Sequence, residues 1–186
     1  AFGVPAPHRP APRTAYPDRM ANPDAGETRA FAALDAAGVA YAVTRHGPVG
    51  SLAEAAALRG VAPGDIVKTL VVRRAEDDFL FVLVPGDRQF SWPKLRALLG
   101  TSRLSMPDAA GAYAATGYQR GTITPFGSSR AWPVVADVSV AGRRISMGAG
   151  AHGVAVTVDG DAVIAALGAR VADVAETDLD PALRTL

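Results

Sequence analysis

The pattern of hydrophobic and polar positions along the chain predicts both strands and helices. Two nearly continuous apolar runs, residues 66–73 and 79–84, flank a short acidic stretch at 76–78. Such runs indicate strands that are covered on both faces, and the acidic stretch indicates the tip of a hairpin between them. Shorter alternating runs predict further strands, which cover residues 41–45, 122–124, 134–140, 143–147 and 154–158.

Helices are predicted where apolar positions recur every three or four residues. Ser51 begins one of them with a capping box, since Glu54 stands three residues later, and Gly60 ends it. Ser91 is expected to cap a second helix, which ends at Gly100. The other predicted helices cover residues 27–38, 107–115 and 161–167. Because helices dominate early and strands dominate late, with hairpins among them, the pattern favours an α+β fold with a mixed sheet or partial barrel.

The chain divides into a proline-rich start and one domain. Residues 1–25 hold six prolines, and proline at that density interrupts helices and sheet ladders alike. We expect this segment to be a flexible arm and residues 26–186 to form a single domain. A chain of 186 residues has room for that one core without disulfide bonds.

Composition and charge narrow the function classes. The chain has no cysteine, which excludes disulfides, thiolate metal sites and a cysteine nucleophile. No apolar run approaches the ~20 residues of a membrane helix, so we expect a soluble protein with no membrane partner. The net charge is only +1, but all basic residues except two lysines are arginine, which suits bidentate phosphate contacts. Nucleic acid therefore stays open as a partner.

Lys68 is the first candidate for chemistry. It stands in the predicted strand 66–73, where the two-residue period places it on one face with Ile66 and Leu70, and the opposite face is apolar as well. Burying an ammonium group without a polar pocket is costly. Two interpretations stay open at this point. One is a functional lysine in a polar pocket, and the other is an edge lysine whose stem covers the core and whose head reaches water.

The loop at residues 117–127 is the second candidate. It contains Gly121, Pro125 and Gly127. Because glycine admits close approach and proline lacks an amide hydrogen, such a loop can direct unpaired amides at a ligand oxygen. Amides arranged in that way stabilise a developing oxyanion. On these residues alone, an ordinary connecting loop is the alternative.

A glycine-rich segment at residues 148–153 has the pattern G-x-G-x-x-G. A dinucleotide site needs a helix directly after this pattern, and here an alternating strand follows. The segment is therefore expected to be a hairpin loop that lines a pocket.

The remaining polar candidates indicate structural roles. His8, His46 and His152 do not stand at metal-ligand spacing, so no metal site is expected. His46 lies at a strand end beside a Gly-Pro pair, where a local hydrogen bond is the usual role. Asp137 stands inside an apolar strand and requires a hydrogen-bonding partner if it is buried.

The order of these features resembles the YbaK/ProX family of aminoacyl-tRNA deacylases, which are related to the editing domain of bacterial prolyl-tRNA synthetase. The resemblance extends over residues 27–176. It rests on His46 after a short strand, the V-K-T-L motif around Lys68, the G-x-x-x-P loop that begins at Gly121, Asp137 in a strand, and the hairpin at 148–153.

The resemblance implies a mixed, barrel-like β-sheet flanked by helices. It also implies hydrolysis of the ester that joins a wrong amino acid to the 3′-terminal adenosine of tRNA, without cofactor or metal. Lys68 and Gly121 match the catalytic positions: the lysine would hold a phosphate or hydroxyl of the terminal nucleotide, and the loop amides would contact the ester carbonyl. The implied partners are mischarged tRNA and prolyl-tRNA synthetase, in the cytoplasm. The implied substrate-binding positions are His46, Thr69, Thr122, Ile123, Pro125, Phe126, Gly148, Gly150 and His152.

One departure from the family concerns the amino acid that is removed. Members that remove cysteine tend to carry an acidic residue where this chain has Val154 and Ala155. We expect a small amino acid on a proline tRNA, with alanine as plausible as cysteine.

A non-catalytic module that binds an amino acid, a nucleotide or a tRNA end is the alternative. Surface arginines that could contact tRNA phosphates are Arg45, Arg73, Arg120 and Arg130.

Overall fold

A computed structural model gives the architecture of the chain and describes residues 23–177. The helices are α1 (Pro23–Ala36), α2 (Leu52–Arg59), α3 (Trp92–Leu99), α4 (Ala109–Thr116) and α5 (Gly160–Leu167). The strands are β1 (Tyr41–Arg45), β2 (Ile66–Ala75), β3 (Asp78–Pro85), β4 (Arg88–Phe90), β5 (Val134–Asp137), β6 (Arg144–Gly148), β7 (Val154–Asp159), β8 (Arg170–Ala172) and β9 (Ala175–Thr177). The predicted arm lies outside the described residues, except that α1 already begins at Pro23.

The strands form one mixed sheet of seven, in the order β1-β7-β6-β2-β3-β5-β8, and β4 pairs with β9 separately. The β2–β6, β3–β5 and β5–β8 pairs are parallel, and the others are antiparallel. The predicted α+β class with a mixed, helix-flanked sheet is confirmed. None of the helices of residues 23–177 has the length and apolar character needed to cross a bilayer.

The two central strands, β2 and β3, are covered on both faces, as their apolar runs predict. Val71 and Phe81 belong to a large core that also includes residues of α1 and α5. Val72 and Leu80 point to the other face and pack with Leu95 of α3 in a second core. The sheet is therefore an interior layer here, so a polar side chain on β2 lies close to apolar neighbours on either face.

One edge of β2 is open over the middle of the strand. β2 pairs with β6 only at Ile66 and Val67, and the next pairing on that edge is a single bridge between Arg73 and Ser105. The Ile66 carbonyl accepts from Gly86 on the β3 side, whereas the Arg73 amide donates to Ser105 on the other side. The backbone amide and carbonyl groups of successive residues point to alternate edges of a strand. The amide and carbonyl groups of residues 69 and 71 therefore point to the same edge as those of Arg73 and face the opening.

Two serines were expected to cap helices, and only one does so with its side chain. The Ser51 hydroxyl accepts from the Glu54 amide at 3.1 Å, and the Glu54 carboxylate accepts from the Gly50 amide at 2.7 Å. Ser91 occupies the position before α3, but its hydroxyl donates to the Glu176 carboxylate. The predicted position of Ser91 at the N-cap, and of Gly100 at the end of α3, is confirmed, but the Ser91 side chain makes no capping hydrogen bond.

Two of the predicted strand segments are also wrong. Residues 122–124 lie in a turn, where Thr122 donates from its amide to the Gln119 carbonyl at 3.0 Å. β5 ends at Asp137, because the Asp137 carboxylate accepts from the Ser139 amide and bends residues 138–140 into a 3₁₀ turn. The sequence pattern also missed β4, β8 and β9, which have only three residues each.

Candidate active site

A cleft of about 370 Å³ lies along the open edge of β2. We call it the β2 cleft. It is lined by Arg59, Ile66, Val67, Lys68, Thr69, Leu70, Val71, Met106, Pro107, Ala112, Arg120, Gly121, Ile123 and Gly148. Among these lining residues three are cationic and none is acidic, so the β2 cleft favours an anionic ligand.

Lys68 is half-buried in the wall of the β2 cleft, on the face of β2 that packs against the second core. Its Nζ donates to the Arg88 carbonyl at 2.8 Å and to the Gly86 carbonyl at 3.3 Å. These two carbonyls hold the ammonium group in place at the wall of the cleft. Of the two interpretations of Lys68, the geometry favours the polar pocket.

Arg59 brings a second cation to the cleft. This half-buried side chain donates from Nε to His46 Nε2 at 3.2 Å, and burial lowers the pKa of its guanidinium. His46 therefore uses Nε2 as an acceptor, and its Nδ1, 2.8 Å from the Gly47 carbonyl, is the donor. His46 itself does not line the cleft, so the structure places it behind Arg59.

The loop that carries Gly121 is held in place at several points. Gly121 has φ +88°, a conformation that favours glycine. The Gly150 amide donates to the Thr122 carbonyl at 3.1 Å, and the Tyr118 hydroxyl donates to the Phe126 carbonyl at 2.7 Å. Pro125 and Phe126 are buried beneath the loop and line no described cavity, so their position is a supporting one.

Thr69 supplies an unusual polar atom beside the cleft. Its Oγ1 is buried and has no hydrogen-bond partner among residues 23–177. A buried hydroxyl without a partner costs roughly 1–3 kcal/mol, and a ligand oxygen or nitrogen in the cleft could remove that cost. This observation agrees with the substrate-binding position implied for Thr69.

The other implied positions lie on the far side of the same loop. Thr122, Gly150 and His152 line a separate cavity of about 330 Å³, next to the start of α1. The His152 ring lies against Gly121. A Cβ atom added to Gly121 would be 3.2 Å from His152 Cε1. The implied site residues are therefore divided, with Lys68, Thr69, Gly121, Ile123 and Gly148 in the β2 cleft.

Sequence reasoning missed part of the cleft wall. Arg59 was not singled out, although it stands in the last turn of the predicted helix that precedes β2. Met106 and Ala112 form an apolar wall opposite β2 and carry no motif that marks them. Among residues 23–177, no group of three or more His, Asp or Glu side chains could hold a metal ion.

Comparison with known proteins agrees with this geometry. Residues 46–166 match the model of the aminoacyl-tRNA editing domain. The proline–tRNA ligase of Thermosipho africanus is 37% identical over 75 residues, which are 40% of this chain but only 13% of the ligase. The chain thus spans a small part of that relative.

Two solved structures share the fold. A hypothetical protein, APE2540, is 29% identical with a TM-score of 0.70, over 77% of this chain and 96% of that one. A protein proposed to be a trans-editing enzyme for prolyl tRNA synthetase has a TM-score of 0.74 at 24% identity, over 81% and 97% of the two chains.

Because the editing-domain model covers well over half of its length, the chain belongs to the aminoacyl-tRNA editing domain family. The resemblance drawn from Lys68, Gly121 and the order of the motifs is thereby confirmed.

Proposed function

We propose that the protein is a deacylase that removes a wrong amino acid from the 3′ end of tRNA. Water adds to the ester carbonyl, the bond to the ribose oxygen breaks, and the products are the free amino acid and an uncharged tRNA end. The observation that carries the proposal is that Lys68 and Gly121 line one cleft that has cationic and no acidic residues in its wall.

The roles of the two residues follow from charge and conformation. Lys68 holds a phosphate or hydroxyl of the terminal nucleotide, because it lies half-buried in the wall of the β2 cleft and an ammonium group donates charge-assisted hydrogen bonds to such oxygens. The amides of the loop at Gly121 stabilise the oxyanion that forms on the ester carbonyl. An ester of a ribose hydroxyl is already activated, so positioning and these amides supply much of the rate, and water is the nucleophile.

The proposed substrate is a small amino acid, alanine or cysteine, on tRNA for proline. Ile123, Met106 and Ala112 give the β2 cleft an apolar wall that suits a short side chain. Val154 and Ala155 are buried in β7 and bring no carboxylate to this region. A difference of one methylene group between two amino acids yields only ~1–3 kcal/mol of discrimination. We therefore propose prolyl-tRNA synthetase as a partner that improves the selection of the mischarged tRNA. The proposed location of this reaction is the cytoplasm.

A panel of charged tRNAs tests this proposal. Proline tRNA is charged with alanine, cysteine or proline, and release of the amino acid is followed with purified protein. We expect loss of alanine or cysteine well above the uncatalysed rate and little loss of proline. If no amino acid is released from any charged tRNA but the RNA still binds, the protein is a binding module and the proposal fails.

Gly121→Ala tests the role of the loop amides. Gly121 and Gly142 both have positive φ, and a Cβ at Gly121 would meet His152, whereas nothing lies within 4 Å of one at Gly142. Both alanine variants therefore carry a backbone cost of ~1–2 kcal/mol, but only Gly121→Ala places that strain, and a contact with the His152 ring, in the loop that lines the β2 cleft. We expect release to fall about 10²-fold in Gly121→Ala and to stay near wild type in Gly142→Ala. Equal rates in the two variants would contradict the assignment.

A further inference from the structure

A larger cavity, of about 850 Å³, lies beside the β2 cleft. We call it the arginine groove, because Arg73, Arg74, Arg103 and Arg130 line it. Its wall also contains Trp132, which is half-buried and donates from Nε1 to the Ala115 carbonyl at 2.8 Å. Nothing in the proposed hydrolysis uses these residues.

The arginine groove adjoins the β2 cleft. Val71 lines the cleft, and Arg73, two residues further along the same strand, lines the groove. Ser105 lines the groove and the next residue, Met106, lines the cleft. The boundary is the bridge in which the Arg73 amide donates to the Ser105 carbonyl at 2.7 Å. A chain that leaves the cleft past this bridge enters the groove.

The charges of the groove are unevenly distributed. Arg73, Arg103 and Arg130 are exposed and take part in none of the ion pairs found within residues 23–177. Arg74 pairs with Asp78 at 2.5 Å, and the carboxylates of residues 76 and 77 line the end formed by the β2–β3 turn. Anionic groups are therefore favoured near the cleft and disfavoured at the turn.

The groove also offers a surface for a flat ring. The Arg130 guanidinium lies over the Trp132 ring at 4.8 Å from its centroid, and Phe79 meets the same ring edge-on at 5.3 Å. The Phe79 contact restrains the Trp132 ring, and Arg130 covers one of its faces. Nucleobases stack on aromatic rings and on guanidinium planes.

We infer that the arginine groove binds the unpaired nucleotides that precede the terminal adenosine of the tRNA substrate. The inference rests on the proposed function, which places that adenosine in the β2 cleft. Arg73 and Arg103 contact the phosphates next to the bridge, and a base stacks on the pair formed by Arg130 and Trp132. The ligand is a single strand of RNA, read through its backbone and through stacking.

The test compares two variants that lose the same charge. The groove variant carries Arg73→Ser, Arg103→Ser and Arg130→Ser. The control variant carries serine at three exposed arginines that line neither the groove nor the cleft, namely Arg143, Arg144 and Arg170. Binding of a fluorescein-labelled single-stranded RNA that ends in CCA is measured by anisotropy across a series of salt concentrations.

We expect the groove variant to bind the RNA about tenfold more weakly than the control variant. The slope of log K against log salt should be smaller by about 1.4, since the two phosphate contacts of Arg73 and Arg103 are lost and each contact on a single strand contributes about 0.7. In hydrolysis, the ratio of kcat/KM on charged tRNA to kcat/KM on aminoacyl-adenosine, which lacks the preceding nucleotides, should fall about tenfold through KM.

The two proposals fail in different ways. Equal RNA binding by the groove and control variants, or an unchanged ratio of the two kcat/KM values, would overturn the groove assignment. If wild-type protein hydrolyses neither substrate, the proposed function fails, while the binding measurement still decides whether the groove holds RNA. Circular dichroism melting of both variants checks that each remains folded.

Discussion

Lys68→Met is expected to lower the release of amino acid from mischarged tRNA by about 10²-fold, because the terminal nucleotide that Lys68 holds no longer positions the ester against the loop amides. Methionine keeps most of the aliphatic stem of lysine, so the packing on β2 is retained while the charge is lost. The hydrogen bonds to the Gly86 and Arg88 carbonyls are lost as well. The measurement is single-turnover deacylation at saturating protein, because this separates the hydrolysis rate from weaker tRNA binding.

Lys94→Met is the matched control, since Lys94 is the only other lysine in the chain. It lies on α3, pairs with Asp173 at 2.8 Å and does not line the β2 cleft. We expect deacylation by Lys94→Met within about twofold of wild type, because an exposed ion pair contributes roughly 0–1 kcal/mol to stability. A rate for Lys68→Met as high as that of the control would remove Lys68 from the mechanism.

Asp137→Asn is expected to produce the largest loss of stability, about 2–4 kcal/mol of unfolding free energy. The Asp137 side chain is fully buried, and Oδ2 accepts from the Val174 and Ala175 amides at 3.0 and 2.9 Å. Its Oδ1 accepts from the Ser139 amide at 3.0 Å. An asparagine presents an NH₂ group to donors on one side, so at least one buried amide loses its acceptor. Urea unfolding at pH 7 measures the effect.

Asp159→Asn is the control for this substitution. Asp159 is exposed at the start of α5 and accepts from the Ala162 amide at 2.8 Å. Because asparagine caps helices as well as aspartate does, we expect a change below about 0.5 kcal/mol. Similar losses in the two variants would show that the buried network around Asp137 does not carry the stability assigned to it.

The network at Asp137 also predicts how stability depends on pH. Burial raises the pKa of the carboxyl, but hydrogen bonds from Ser139, Val174 and Ala175 outweigh burial, so the pKa lies below its ordinary value. A depressed pKa stabilises the folded state above the unfolded value of about 3.9, and this stability is lost as the pH falls through the folded pKa. Asp137→Asn should therefore lose less stability than wild type on acidification below pH 4, as measured by melting temperature.

The sequence predicted the elements whose pattern comes from burial. β2 and β3 are covered on both faces and appear as apolar runs, and α2 is marked by its cap at Ser51. Elements that depend on distant partners were not predictable. β4, β8 and β9 have three residues each, and the bend after β5 comes from one carboxylate that bonds to Ser139. A short alternating run such as 122–124 is not specific enough to distinguish a strand from a turn.

The candidate site was predictable where it depends on motifs. Lys68 and Gly121 stand in short motifs whose order matches a family, and both line one cleft. Arg59, Met106 and Ala112 were missed because they reach the cleft only through the packing of α2, the segment before α4, and α4 itself. Gly150 and His152, which the resemblance also implies as substrate-binding positions, line the neighbouring cavity and not the β2 cleft. Spacing along the chain does not encode on which side of a folded loop a residue lies.

The departure of β2 from β6 after Val67 has a consequence for how substrate preference changes within the family. One wall of the β2 cleft is the main chain of β2, and the position of this wall is set by the hydrogen bonds between β2 and β3. We expect mutation of Ile123 or Met106, which line the β2 cleft, to alter the size of the amino acid that is accepted, while the cleft keeps its width along the strand. Single substitutions can thus change the selectivity for the amino acid without a change of fold. An inhibitor that forms hydrogen bonds with the exposed edge of β2 would still bind after such substitutions.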